Sequence, residues 1–234
     1  MTPEATAGTA VTAIVAARNE ADRIGATLDT LREAFPGATL WVADDASTDG
    51  TAEVALAHGA KVVSRGRPHG KGANVTAAAE AMLSEGEPEG VVLLCDGDLG
   101  ETAGRLPPLT AAVAGGGCDL AIAAFARRVG GGFGVALGFS RWTTERLGGV
   151  TLAAPISGQR AIRAEKLRGL LPFARGYGME TAMNIDAARA GLRIEEVQLD
   201  LEHRATGRTL RGFGHRGRQL ADFLRVYLSR RFRG

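Results

Sequence analysis

The residues most able to do chemistry lie at 91–99, where an apolar run ends in two aspartates one residue apart. The apolar residues 91–95 predict a strand buried on both faces, as in a parallel sheet. Ligands of such sheets bind beyond the carboxyl ends of the strands, where Asp96 and Asp98 would lie. Two carboxylates this close repel each other unless a divalent cation carrying phosphate oxygens lies between them. A pair of loop aspartates capping the next helix is the alternative, and the motif alone leaves both open.

Three further polar clusters follow strand or loop patterns upstream of this pair. They are Ala17-Arg18-Asn19-Glu20, the run DDASTDGT at 44–51, and Gly70-Lys71-Gly72. In the third cluster the glycines permit close backbone approach, and Lys71 offers a positive charge to phosphate. Each cluster alone would suit a helix cap, a turn or a solvated loop. Four of them at successive strand ends are hard to explain as turns alone.

The elements that must position these clusters alternate between strand and helix, which predicts a doubly wound, mostly parallel α/β sheet. Strands are predicted at 11–17, 39–43, 61–64, 91–95, 119–125 and 193–201. Helices are predicted at 20–34, 51–58, 73–85, 103–114, 141–147, 161–171 and 181–190. Five glycines within 130–138 predict a mobile loop.

Charge is distributed unevenly along the 234 residues, although the formal net charge is only +2. Residues 201–234 carry nine arginines against Glu202 and Asp222, a net of +7, whereas the other 200 residues carry a net of −5. This acidic remainder, together with only two Trp and two Tyr, argues against a nucleic-acid partner.

The basic tail has an amphipathic pattern at 217–231, with Leu220, Phe223, Leu224, Tyr227 and Leu228 on one helical stripe. Such a helix can lie on an anionic membrane surface. It can equally pack its apolar stripe on the domain and show its arginines to solvent. We expect packing, combined with some affinity for membranes.

The location of the protein is predicted from what the chain lacks. No apolar run approaches the roughly 20 residues that span a bilayer, and the N-terminus does not have the pattern of a signal peptide. Cys95 and Cys118 are predicted to be buried thiols, which suits a reducing compartment. We therefore expect a cytoplasmic protein, peripheral at most to the inner face of the membrane.

Several of these motifs, taken in order, resemble a known family. The runs VTAIVAARNEADRI, VADDASTDGT, GKGAN and CDGDL look like the nucleotide-sugar half of a family 2 glycosyltransferase with the GT-A fold. The later runs SGQRAIRAEKL and GYGMET resemble its second half, as in polyprenyl-phosphate sugar synthases and glucosyl-3-phosphoglycerate synthases. The resemblance implies one domain, with a nucleotide-sugar-binding half at 1–100, an acceptor-binding half at 101–205 and a basic helix at 206–234.

Roles at the donor site follow from this resemblance, position by position. Ala17, Arg18 and Glu20 would line the nucleoside pocket, with alanine at 17 where family members usually have proline. Asp45 would accept a hydrogen bond from the base, Ser47 would lie nearby, and Lys71 would approach the nucleotide. Asp96 would bind the ribose or the metal, and Asp98 would ligate Mg²⁺ or Mn²⁺ directly.

Roles at the acceptor side centre on Glu180, at the start of a predicted helix after a Gly-Tyr-Gly turn. It is the candidate base for an attacking hydroxyl; an acceptor phosphate is already ionised, and Glu180 would then position the sugar. A charge favoured by the helix dipole is the alternative. The resemblance implies that His203 completes the metal site. Arg204 and Arg208 could hold the diphosphate or an anionic acceptor.

The sequence therefore predicts a metal-dependent glycosyltransferase that uses a nucleotide-sugar, with a UDP-sugar favoured. SGQRAIR and the basic tail favour a polyprenyl phosphate as acceptor, whereas GYGMET with His203 favours a small soluble acceptor. A sugar-phosphate nucleotidyltransferase is the competing class, but residues 17–20 are not the basic glycine-rich loop it would need after its first strand. The sequence leaves a homodimer open.

Overall fold

The computed structural model describes residues 8–125, 134–200, 222 and 224–232. Seven strands form one sheet: β1 (Val11–Ala17), β2 (Thr39–Asp44), β3 (Lys61–Ser64), β4 (Val91–Asp96), β5 (Leu120–Phe125), β6 (Arg160–Arg163) and β7 (Ile194–Leu199). Their order is β3-β2-β1-β4-β6-β5-β7. Every neighbouring pair is parallel except the two that involve β6, which runs antiparallel to β4 and β5. The predicted mostly parallel α/β sheet is confirmed.

The helices lie between the strands in the chain and cover both faces of the sheet. They are α1 (Ile24–Ala34), α2 (Thr51–Ala57), α3 (Lys71–Glu85), α4 (Pro107–Ala114), α5 (Gly134–Gly148), α6 (Ala164–Leu167) and α7 (Met179–Arg189). Short 3₁₀ helices occur at Gly100–Arg105, Arg168–Leu170 and Gly176–Gly178, and residues 224–231 are helical. Within the described ranges, no helix combines the length and the apolarity that crossing a bilayer would require.

Strand β4 is buried on both faces, as its apolar run predicts. Val91, Leu93 and Cys95 pack in the core on the side of α1 and α4, while Val92 and Leu94 pack in the core on the side of α3 and α7. Alternate side chains of a strand point to opposite faces, so a strand between two helical layers must be apolar throughout. The first polar side chain, that of Asp96, therefore comes where the strand leaves the core.

The helix predicted at 161–171 is wrong. Residues 160–163 form β6, and only Ala164–Leu167 continue as an α-helix. Ala161 and Ile162 are fully buried between the two neighbouring strands. Pairing on both sides supplies a ladder of backbone hydrogen bonds, and this tertiary context overrides the helical preference of the local residues.

Three other predicted boundaries also need correction. The helix predicted at 103–114 is divided near Leu106, because Pro107 can begin a helix but cannot continue one. Helix α1 begins at Ile24 rather than at Glu20. The mobile loop predicted at 130–138 is wrong from Gly134 onward, where α5 begins, and positions 130–133 lie outside the described residues.

The predicted packing of the tail is also wrong in its described part. Leu224 and Leu228 are exposed, whereas Val226 is buried against Ala182 and Ile185 of α7. Of the predicted stripe, Leu220 and Phe223 lie outside the described residues. The two described leucines of the stripe thus point outward, while Tyr227 packs on Phe139 and Trp142 of α5.

One carboxylate ties β5, β6 and β7 together at the edge opposite to the predicted site. Asp119, immediately before β5, accepts hydrogen bonds from Arg163 Nε at 3.2 Å and from Arg193 Nη2 at 3.0 Å. It also accepts the Arg193 backbone N–H at 3.0 Å. The hydrogen bonds from Arg193 lower the pKa of Asp119 well below its usual range. The SGQR segment runs into the start of β6, and this network fixes the other end of that strand.

We predict that Asp119→Asn lowers the free energy of unfolding at pH 7 by roughly 2–3 kcal/mol, because two guanidinium groups lose their anionic partner. A carboxylate with a depressed pKa stabilises the fold above its unfolded pKa, about 3.9, and loses this effect as the pH falls through its folded pKa. Urea unfolding of both proteins should show a difference that is full at pH 7 and shrinks below about pH 4. A difference that does not depend on pH would contradict the electrostatic explanation.

Candidate active site

The candidate site lies where β1, β2 and β4 end side by side. Ala16 pairs with Asp96, and Ala17 pairs with Asp44. The turn after β4 is tight, because a Cβ added at Gly97 would lie 3.1 Å from the Ala17 Cβ. The register thus confirms the prediction that these strand ends lie together at one edge of the sheet.

The loops after β1 and β2 are tied to each other. The ties are Arg18 Nη1 to Asp45 Oδ2 (3.3 Å), Asn19 N to Ser47 Oγ (2.8 Å), Thr48 N to Asn19 Oδ1 (2.9 Å), and Glu20 N to Thr51 Oγ1 (2.9 Å). Asn19 and Ala46 both have a φ of 55°, in the left-handed region that non-glycine residues rarely adopt. The loops that carry the predicted residues Arg18, Glu20, Asp45 and Ser47 are therefore held in one arrangement by their own contacts, and their role in a nucleoside pocket stays a prediction.

Asp45 has a structural task besides its predicted one. Its carboxylate accepts the backbone N–H groups of His69 at 2.6 Å and Gly70 at 3.1 Å, as well as the side-chain amide of Asn74. Asp44 is also buried, and it accepts a hydrogen bond from Ser64 at 2.7 Å. Asp45 thus joins the end of β2 to the turn that starts α3, and Asp44 joins it to the end of β3.

The glycines of the Gly70-Lys71-Gly72 turn meet protein rather than open space. A Cβ at Gly72 would overlap the carbonyl oxygen of Ala174, and one at Gly70, whose φ is 83°, would lie 3.3 Å from the Gly176 Cα. The close backbone approach that these glycines allow is made to the segment that leads into α7, and the approach of Lys71 to a phosphate stays a prediction. This contact places Lys71 between the end of β4 and the start of α7.

Lys71 is the centre of the site. Its Nζ lies 2.6 Å from Asp96 Oδ1 and 3.0 Å from Glu180 Oε1. Burial by itself would lower the pKa of Lys71, but the two carboxylates outweigh burial and raise the pKa well above its usual range. The ammonium therefore stays charged at any physiological pH. It links the predicted donor aspartate to the predicted acceptor-side glutamate.

Glu180 is in the first turn of α7 and is only 7% exposed. A carboxylate there interacts favourably with the positive end of the helix dipole. The alternative given for Glu180, a charge favoured by the dipole, therefore explains part of its environment. The dipole does not account for the lysine opposite it. The structure thus brings Lys71, Asp96 and Glu180 into one cluster, across 109 positions of sequence from Lys71 to Glu180.

Two neighbours of Asp96 were missed as site residues. Gln159 Nε2 donates to Asp96 Oδ2 at 2.8 Å. A Cβ added at Gly158 would lie 2.5 Å from the same oxygen and 2.6 Å from Lys71 Nζ. The signal in the sequence is the Gly-Gln pair directly before Arg160–Arg163, and the wrong helix predicted at 161–171 hides its place at the start of a strand.

Arg160 holds this pair in place from inside the protein. It is fully buried and donates to the carbonyl oxygens of Ser157 at 2.8 Å and Pro155 at 2.9 Å, and to Asn184 Oδ1 at 2.6 Å. Burial lowers its pKa to about 10. The guanidinium is thus solvated by two carbonyl oxygens and an amide oxygen, and it braces the 155–159 loop against α7.

The two aspartates that follow β4 have the chemistry of a divalent-metal site. Mg²⁺ and Mn²⁺ prefer oxygen ligands, and Mg²⁺ in nucleotide sites typically uses one or two carboxylates together with phosphate oxygens. The Asp98 carbonyl is anchored by Arg23 Nη1 at 3.1 Å. In the part of the chain that the structure describes, no cluster of three acidic, histidine or cysteine side chains forms. The predicted contributors His203, Arg204 and Arg208 lie outside the described residues.

We predict that Gly158→Ala lowers the rate of the catalysed reaction at least tenfold, because the new methyl group must displace Lys71 or Asp96. Gly169→Ala is the matched control, since a Cβ at that position has no neighbour within 4 Å. Initial rates and thermal unfolding midpoints should be measured for both variants. Equal rates in the two variants would show that the Lys71–Asp96 contact is not needed.

Comparison with known proteins gives consistent matches. A model of glycosyl transferase family 2 matches residues 12–168. The chain is 32% identical over 245 residues to an undecaprenyl-phosphate mannosyltransferase of Micrococcus luteus, with 96% of each protein covered. It is 34% identical over 247 residues to a glucosyl-3-phosphoglycerate synthase of Mycolicibacterium paratuberculosis, covering 92% of this chain and 71% of that protein.

Solved structures of a similar enzyme share the fold. Glucosyl-3-phosphoglycerate synthase of Mycobacterium tuberculosis, in complex with Mn²⁺, UDP-glucose and phosphoglyceric acid, superposes with a TM-score of 0.73 at 28% identity. The match covers 97% of this chain and 81% of that one. The same enzyme in complex with Mg²⁺ and UDP gives a TM-score of 0.74 at 29% identity, over 97% of this chain and 80% of that one.

Proposed function

Because this chain belongs to glycosyl transferase family 2 and is a glycosyltransferase, we propose that it transfers a sugar from a UDP-sugar to a polyprenyl phosphate. The observation that carries the proposal is the ion-paired cluster of Lys71, Asp96 and Glu180. This cluster joins the edge that would hold the donor to the helix that would face the acceptor. The metal that assists the transfer is Mg²⁺ or Mn²⁺, as in the solved structures of the similar enzyme.

On the donor side, the tied loops at 17–20 and 44–51 would hold the nucleoside. Asp98, with Asp96, would hold the metal ion, whose chemical contribution is to neutralise the charge of the departing diphosphate. Lys71 would keep one positive charge fixed beside this edge, and Gln159 would keep the Asp96 carboxylate oriented. His203 as a third ligand, and Arg204 and Arg208 as anion-binding groups, are part of the proposal.

On the acceptor side, the phosphate of a polyprenyl phosphate is itself an ionised nucleophile. Glu180 would then orient the sugar through a hydrogen bond, with its own position set by Lys71. An acceptor hydroxyl would instead need Glu180 as a base that removes the proton.

The lipid acceptor is favoured by the extent of the match. The Micrococcus luteus mannosyltransferase is covered over 96% of its length, whereas the Mycolicibacterium paratuberculosis synthase is covered over 71%. Transfer to a small soluble acceptor is the second candidate, and it is favoured by the structural likeness to the synthase that binds phosphoglyceric acid. Both candidates use the same donor site and differ only in what approaches Glu180.

The direct experiment is to incubate the protein with UDP-sugars and Mn²⁺, adding either detergent-dispersed polyprenyl phosphate or 3-phosphoglycerate. Released UDP and the glycosylated product should be measured together. We expect a lipid-linked sugar. Product formed only from 3-phosphoglycerate would replace the proposal with the second candidate.

We predict that Asp98→Asn lowers transfer at least a hundredfold and leaves the fold intact, because the side chain keeps its shape but loses the charge that binds the metal. Excess chelator should have the same effect on the unsubstituted protein, and added Mn²⁺ should reverse it. Circular dichroism controls for folding. Full activity of the variant, or in chelator, would contradict the metal-dependent mechanism.

We predict that Glu180→Gln distinguishes the two kinds of nucleophile. With a phosphate acceptor, kcat should fall less than about tenfold, because no proton has to be removed. With a hydroxyl acceptor, the loss of a general base should lower kcat by about 10²–10⁴. The rate should be measured from pH 6 to 9, and a large loss with polyprenyl phosphate would disprove the positioning role.

A further inference from the structure

An exposed apolar surface lies beside the candidate site and has no task in the chemistry described above. We name it the aromatic face; its members are Val135, Trp142, Leu224, Tyr227, Leu228 and Phe232. Trp142 is 48% exposed, Leu224 49% and Leu228 45%, and Val135 and Phe232 are more exposed still. Soluble surfaces rarely gather so many large apolar side chains in one place unless something covers them.

Aromatic contacts make this a single surface built from two helices. The rings of Trp142 in α5 and Tyr227 in the tail are stacked with centroids 5.1 Å apart. Phe139, also in α5, lies 5.7 Å from Trp142 and 6.5 Å from Tyr227. The apolar side chains of α5 and those of the tail helix therefore form one continuous surface.

The outward orientation of the tail helix is fixed by its other side. Val226 is 3% exposed, and a Cβ added at Gly178 would overlap its methyl group. Arg230 Nη2 pairs with Asp186 of α7 at 2.7 Å. An amphipathic helix normally turns its apolar stripe toward the core. Here Val226 and the ion pair between Arg230 and Asp186 hold the helix on the domain. The larger apolar side chains on its other side remain exposed and can contact another apolar environment.

Two arginines of the tail helix indicate the charge of that environment. The Arg225 side chain is 79% exposed and pairs with Asp222 Oδ1 at 3.0 Å. The Arg231 guanidinium lies 5.9 Å from the Tyr227 ring and 5.8 Å from the Phe232 ring. Tryptophan, tyrosine and arginine have apolar bodies and polar tips, a combination that suits the boundary between lipid tails and headgroups. A second copy of this chain on the same face would bring arginines toward arginines, whereas anionic lipid complements them.

The tail helix that carries part of the aromatic face contacts the acceptor side of the site with its inner side. Asp222 of the tail packs so closely on Gly176 that a Cβ there would overlap its carboxylate. Gly176 begins the short 3₁₀ helix that leads into α7 and Glu180. A bilayer seated on the aromatic face would thus be separated from the turn before Glu180 by this one helix.

We propose that the aromatic face docks on the surface of an anionic phospholipid bilayer, with Trp142 and the two leucines inserted among the acyl chains. The proposal deepens the proposed function, on which it rests for the lipid-linked acceptor. Docking would place the acceptor phosphate at the depth of the headgroups, next to the domain that carries the candidate site.

Tryptophan fluorescence tests the docking directly, because the chain has only two tryptophans. The other tryptophan, Trp41, is buried, and Trp41→Phe leaves Trp142 as the only tryptophan. Vesicles of phosphatidylglycerol and phosphatidylcholine should shift Trp142 emission to the blue, and brominated acyl chains should quench it. Pure phosphatidylcholine vesicles should bind at least tenfold more weakly. An emission spectrum that anionic vesicles do not change would overturn the proposal.

A matched pair of substitutions tests the face itself. Leu228→Glu should lower binding to anionic vesicles at least tenfold. Leu56→Glu, the same change at an exposed leucine of α2, should leave binding within about twofold. Equal losses would show only that added negative charge repels the vesicle, and would overturn the assignment. A lipid-free dimer in sedimentation velocity that Leu228→Glu dissociates would assign the face to a second copy instead.

Measurements of transfer activity distinguish a failure of the docking proposal from a failure of the proposed function. The rate with vesicle-embedded polyprenyl phosphate, divided by the rate in detergent, should fall at least tenfold in Leu228→Glu and stay unchanged in Leu56→Glu. Vesicle binding without transfer in either format would disprove the lipid acceptor and keep the docking. Transfer in both formats with an unchanged ratio would disprove the docking and keep the acceptor.

Discussion

The candidate site depends on one partly buried positive charge, the ammonium of Lys71 between Asp96 and Glu180. Without that charge, two carboxylates from distant parts of the chain would face each other in a partly desolvated crevice, and their repulsion would act to separate β4 from α7. With it, each carboxylate has a partner within hydrogen-bonding distance. Everything nearby serves to bring the ammonium to this point, from the glycine turn that packs on Ala174 to the Gly158 position that leaves room for it.

The surrounding loops follow a second rule, which is that polar groups are satisfied before any substrate arrives. Asp45 binds two backbone N–H groups of the turn before α3, and Asn19 exchanges hydrogen bonds with the loop after β2. Backbone groups at the end of a strand have no ladder partner, so side chains must supply one. The same contacts keep the crevice in shape, which lowers the entropy that substrate binding would otherwise cost.

The sequence predicts the first half of the fold well, because its strands are continuous apolar runs that end abruptly at polar clusters. It predicts β1 and β3 with correct bounds and places Lys71, Asp96 and Glu180 among the candidate residues, since motif order carries that information. It fails at β6, where pairing with β4 and β5 outweighs local preference. It fails again at the tail, because helical periodicity shows that Leu224 and Leu228 share a stripe but not which way the stripe points.

Strand β6 has a consequence that its direction alone creates. Because it runs against its neighbours, its beginning, not its end, lies at the edge where Asp96 emerges, and Gln159 reaches Asp96 across 63 positions of sequence. Gln159 and Arg160 can brace the candidate site only while β6 stays paired between β4 and β5. A change that weakens this pairing would therefore reach Asp96, although it lies far from Asp96 in sequence.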